Sequence, residues 1–160
     1  LLLWLMGPVR RVHAATKILG HERIEVEDTA VATLEFENGA LGVIEGSTAT
    51  YPGLLKRVEI SGTQGTAVIE EEDLRTWHFA EETPEDDEIR HAYTTATTSG
   101  GGASDPMAID TTAHARQLAD FVEAIEAGRS PEVDVHEARR AVDLILAIYE
   151  SARTGGSVEL

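Results

Sequence analysis

From Asp28 onward the chain alternates. Ala30, Ala32, Leu34 and Phe36 fall on one side of an extended backbone, and Thr29, Val31, Thr33 and Glu35 fall on the other. That period of two is the signature of a half-buried β-strand. Asn38-Gly39 comes next, a pair that readily takes the positive φ angles of a tight turn, so residues 41–50 are expected to return antiparallel. Tyr51-Pro52-Gly53 breaks that strand. Residues 55–61 read as another strand, residues 62–65 as a second turn, and residues 66–70 and 74–79 as two more strands. Upstream, residues 9–18 have strand character and residues 20–25 read as a charged loop.

The period changes near the C-terminus. Leu118, Phe121, Val122 and Ile125 recur at i, i+3, i+4 and i+7, which predicts an amphipathic helix over 113–127 stopped by Gly128. Asp134 and Glu137 frame a capping box for a helix over 135–153. Ala138, Ala141, Val142, Ile145, Ile148, Tyr149 and Ala152 are its expected buried face, and residues 157–160 read as a last short strand. Leu1, Leu2, Trp4 and Leu5 share a helical face that ends at Gly7-Pro8, with no capping residue at its start. Residues 80–88 read as an acidic loop. Residues 94–106 are polar and Gly-rich, a stretch expected to be mobile or functional. The pattern predicts an α+β fold: an open, mostly antiparallel β-sheet of about six strands with helices packed on one face. A chain of 160 residues fits one such domain.

Composition narrows the function. Thirteen basic residues against 29 acidic ones give a net charge of −16, which repels phosphate backbones and anionic lipid, so neither nucleic acid nor membrane is an expected partner. The absence of cysteine removes disulfides, thiolate nucleophiles and Cys-based metal sites, and fits a cytoplasmic location. The opening apolar run is too short for a bilayer span, and its arginines follow it instead of preceding it as in a signal peptide.

Candidate chemistry is sparse. His21-Glu22 begins like a zinc-protease helix, but no second histidine follows four residues on, so no metal ligands are assigned. Gly100-Gly101-Gly102 is contiguous, follows no strand and opens no helix, so it is no dinucleotide cradle. Two residues stand out. Tyr51 lies where a strand breaks and offers a ring face and a hydroxyl suited to a sugar-like ligand; the alternative is a packed turn aromatic. His114 opens a helix just after the long loop; the alternative is a satisfied histidine at a core edge.

The stretches VEDTAVATLEFENGALGVIEGSTATYPG, RVEISGTQGTAVIE and HARQLADFVEAIEAGRSPEVDVHEARRAVDLILAIYESARTGGSVEL resemble the C-terminal domain of the Gfo/Idh/MocA oxidoreductases, over almost the whole chain. The resemblance implies a two-domain parent in which an N-terminal Rossmann domain holds NAD or NADP. The C-terminal domain then lines the substrate pocket and forms the oligomer interface, and hydride passes to or from a hydroxyl-bearing carbon of a small polyol, a sugar or cyclitol. The family's Glu-Lys-Pro and His-x-x-Asp motifs are not found here, so no catalytic and no cofactor-binding residue is assigned. On this reading residues 1–7 are the remnant of the helix that follows the catalytic pair, and residues 1–160 are a single substrate-binding and oligomerisation domain without its Rossmann partner. Tyr51 and His114 carry over as substrate-binding residues, no cofactor is expected in this chain, and a homo-oligomer is expected through the open sheet face. A stand-alone, non-catalytic binding or interaction protein is the alternative.

Overall fold

A computed structural model describes residues 1–71, 73–94 and 111–160. From residue 95 on, the Gly-rich stretch expected to be mobile lies outside the described residues. The chain falls into two compact units, residues 1–50 with 110–160, and residues 51–109.

The first unit holds helix α1 (Leu2–Met6), strands β1 (Val9–Lys17), β2 (Thr29–Phe36) and β3 (Leu41–Ser47), helices α3 (Thr112–Ala127) and α4 (Val135–Thr154), and strand β7 (Val158–Glu159). Its four strands lie in the order β3-β2-β1-β7, every pair antiparallel. The alternation read in the sequence sets the faces. Ala32, Leu34 and Phe36 are buried with Val9, Val12 and Ala14 of β1, and Leu144 and Ala147 of α4 close over them. Each fully buried Leu or Val in such a core stabilises by roughly 1.5–3 kcal/mol.

The Asn38-Gly39 turn forms as expected, Gly39 taking φ +87°. It also anchors the first helix, because the Asn38 amide donates to the Met6 carbonyl at 3.0 Å and the Glu37 N–H donates to Pro8 O at 3.0 Å. Leu2, Leu3 and Met6 then pack onto the core.

The second unit holds β4 (Arg57–Ser61), β5 (Gly65–Glu70), β6 (Asp73–Phe79) and helix α2 (Pro84–Tyr93). Its sheet runs β4-β5-β6, again antiparallel. The α+β class and antiparallel pairing read from the sequence therefore hold, with the strands shared between two sheets. Arg57, Glu59 and Ser61 belong to the second sheet.

Two elements differ from expectation. The acidic stretch read as a loop runs into α2: Pro84 sits in its first turn and Thr83 N–H donates to the Asp86 carboxylate at 2.7 Å. Glu85, Asp86 and Asp87 crowd the helix N-terminus, where the backbone dipole favours negative charge. Trp77 Nε1 donates to Asp86 at 2.8 Å and Arg90 donates to the Trp77 carbonyl at 2.8 Å, fixing α2 to β6.

The second difference concerns α4. It buries Leu144, Ala147 and Ser151, while Val142, Ile145 and Tyr149 are exposed. The helix is apolar on more than one side, so periodicity alone does not select the inward face. Ser151 does, through hydrogen bonds to β1 and to the chain beyond α4. On α3 only Ala124 is buried, and the stripe from Leu118 to Ile125 faces outward.

Candidate functional site

Tyr51 opens the second unit, just after β3 has ended and before Gly53 turns the chain at φ +90°. Its side chain is 95% exposed, so the packed-aromatic alternative does not describe it. Both ring faces and the hydroxyl are open to a ligand. His114 lies in the first unit, in the opening turn of α3, one turn before Leu118 and likewise exposed.

The loop between β1 and β2 is held by a residue that sequence reasoning missed. The Asp28 carboxylate accepts backbone N–H bonds from Leu19, Gly20 and His21 at 2.8, 2.8 and 2.9 Å. The Thr29 hydroxyl adds a bond at 3.1 Å, and His21 Nδ1 approaches to 3.2 Å. Gly20 must lack a side chain here, since a Cβ would stand 2.6 Å from that of Ala49. Burial pushes the Asp28 carboxyl up, but the N–H bonds from Gly20, His21 and Leu19 together outweigh it and hold the group far below the ordinary carboxylate range.

A depressed folded-state value means this clamp stabilises fully above the unfolded-state value of about 3.9 and is lost as pH falls toward the folded one. Asp28→Asn is therefore expected to lower the melting temperature at neutral pH, with the gap to the parent narrowing below about pH 4. Thermal melts from neutral to strongly acidic pH check this; a gap independent of pH would contradict it.

Among the described residues of the first unit, the sheet face opposite α4 carries exposed side chains. Val31, Thr33 and Glu35 of β2 lie in register with Ala15, His13 and Arg11 of β1, and with Glu45, Val43 and Leu41 of β3. Arg11 and Arg10 both bind Glu35, Arg10 at 2.9 Å, and the Arg11 hydrogen bond chiefly holds the Glu35 carboxyl below its usual range. Val31, Leu41 and Val43 stay exposed around that pair.

On the helical side, α1 and α4 flank a cleft of about 440 Å³ whose lining includes Leu3, Val9, Arg139, Asp143, Leu144 and Leu146. Among the described residues no three His, Asp or Glu side chains gather as metal ligands. None of the described helices is long and apolar enough to cross a membrane.

A family profile described as the oxidoreductase family C-terminal alpha/beta domain matches residues 1–160. Two solved structures are similar over 99% of the chain. One is the WlbA dehydrogenase of Bordetella pertussis in complex with NADH and UDP-GlcNAcA, 34% identical with a TM-score of 0.81, of which the chain covers 44%. The other is the WlbA dehydrogenase of Chromobacterium violaceum with the same two ligands, 30% identical with a TM-score of 0.78, covered to 42%. The D-xylose 1-dehydrogenase (NADP(+)) 2 of Haloferax volcanii is 44% identical over 50 residues, 31% of this chain and 15% of that protein. The chain spans less than half the length of the proteins it matches.

Proposed function

The chain belongs to the Gfo/Idh/MocA oxidoreductase family as its C-terminal α/β domain, and on that footing we propose that it is the substrate-binding and oligomerisation half of an NAD(P)-dependent dehydrogenase acting on a hydroxyl of a sugar or cyclitol. The observation that carries this reading is the match over 99% of the chain, at 34% identity, to a dehydrogenase whose structure holds NADH and a nucleotide sugar. In the parent protein NAD or NADP belongs to an N-terminal Rossmann domain. In support, every described strand pair of this chain is antiparallel, so among the described residues there is no βαβ crevice to receive a dinucleotide. The cytoplasm is the proposed location, on the lack of cysteine.

Within this reading Tyr51 and His114 meet the substrate. The Tyr51 ring suits the C–H face of a sugar and its hydroxyl a sugar hydroxyl; the His114 imidazole, considered by itself in the other unit, suits a hydrogen bond to a sugar hydroxyl. Neither is assigned to proton transfer. The open face of the first sheet, with Val31, Leu41 and Val43 around the Arg11–Glu35 pair, is the self-association surface.

The test is Tyr51→Ala in the longer polypeptide that carries the cofactor domain. The sugar KM is expected to rise about tenfold, the equivalent of about 1.4 kcal/mol, with NADH affinity unchanged. His114→Ala should move the same constant in the same direction. Unchanged sugar KM values in both variants would remove these residues from the substrate site.

A further inference from the structure

The unit that presents Tyr51 has no cation to spare. Residues 51–109 hold twelve acidic residues against four basic ones, Lys56, Arg57, Arg75 and Arg90. Each of the four is already held by a carboxylate. Lys56 meets Glu71 at 2.7 Å, Arg57 meets Glu59 at 2.6 Å and Arg75 meets Glu70 at 3.1 Å. Arg90 is shared between Glu82 at 2.9 Å and Asp87 at 2.7 Å. Glu81, Glu85 and Glu88 are exposed and meet no cation among the described residues. An excess of one sign that is not neutralised locally sets the potential felt by an arriving ligand and slows the encounter with ligands of like charge.

His114, taken by itself in the first unit, offers an anion little more. Arg116 is the nearest basic residue along α3. Two residues on an α-helix are about 200° apart around its axis, so Arg116 leaves the helix on the side away from His114.

On the reading of this chain as the substrate-binding half of a dehydrogenase, we infer that its substrate is uncharged: a neutral sugar or cyclitol, and neither a sugar acid nor a nucleotide-linked sugar. A carboxylate or phosphate arriving at Tyr51 gives up part of its hydration and meets, in the second unit, no guanidinium or ammonium free of a carboxylate partner. Drawing one of the four cations away strands the carboxylate it leaves, so the exchange gains nothing. A neutral hydroxyl makes no such demand, because carboxylates and a phenol oxygen accept its O–H directly.

The test compares each neutral sugar with its own acid, using the longer polypeptide that carries the cofactor domain. Initial rates of NAD(P) reduction are measured with D-glucose against D-glucuronate and with D-galactose against D-galacturonate. The neutral member of each pair should have the higher kcat/KM, by at least about tenfold. Raising sodium chloride from about 20 to about 200 mM should lift kcat/KM for the acids by screening the repulsion, and leave the neutral sugars unchanged. Acids oxidised as well as their neutral parents, or acids whose kcat/KM falls with salt, overturn the inference while the dehydrogenase reading stands. If neither set is oxidised although NADH binds, the reading as a sugar dehydrogenase falls, and the inference with it.

Discussion

On the proposed self-association through the first sheet, arginine in place of Val31 is expected to shift the assembly to monomers, raising the dissociation constant at least about 30-fold. Val31 sits on the open face of the first sheet, opposite Ala15 on one side and Glu45 on the other. In the monomer the new guanidinium can reach Glu45 across the strand pair, so the fold is kept and the charge stays hydrated. At a sheet-on-sheet contact both charges lose water, which costs several kcal/mol per ion before any mutual attraction is counted. In a twofold interface the same residue is placed twice, so the effect doubles. Sedimentation or light scattering over a concentration series, with a thermal melt to show the fold intact, measures it. A dissociation constant that does not move would show that the self-association surface lies elsewhere.

Ser151→Ala is expected to cost about 2–3 kcal/mol of stability. Ser151 is completely buried. Its hydroxyl donates to the Gly156 carbonyl at 2.6 Å and accepts from the Ala14 N–H at 2.9 Å. The geometry explains why strand β1 needs it. On that edge β7 pairs only with Arg11 and Val12, because it is two residues long. Beyond Val12 the hydroxyl takes the place of a neighbouring strand, and it ties the end of α4 to the sheet. Alanine leaves the buried Ala14 N–H and the part-buried Gly156 carbonyl without this partner, a desolvation cost of about 1–3 kcal/mol for a fully buried group and less for the carbonyl. Urea unfolding should show a lower midpoint with unchanged slope. A midpoint shift worth less than about 0.5 kcal/mol would mean that water or backbone adjustment replaces the hydroxyl.

Much of this was legible in the chain. The alternation at 29–36 placed Leu34 inside and Val31 outside, and Asn38-Gly39 placed the turn between β2 and β3. Gly128 and Asp134 marked the end of α3 and the start of α4, because positive φ and an N-cap carboxylate are local requirements with few alternatives. What escaped depends on distant partners. Asp28 reads as an ordinary acid before a strand, and only folding brings three N–H groups of the preceding loop onto it. The inward face of α4 is likewise fixed by Ser151 meeting a strand 137 residues away in sequence, which no periodicity reveals. Helix α2 was masked by its own charge, although Thr83-Pro84 with an acid at position 86 is a helix-start signature. Of the site, Tyr51 was visible as an aromatic at a strand break, and its side chain is exposed.

The central proposal is a division of labour in which this chain would handle the sugar and the assembly, and a separate Rossmann domain the nicotinamide. Titration calorimetry of NADH and NADPH into the 160-residue chain and into the longer polypeptide addresses that division most directly. The account predicts no binding heat for the chain and micromolar binding by the longer form. Micromolar binding of either cofactor by the 160-residue chain alone would contradict it.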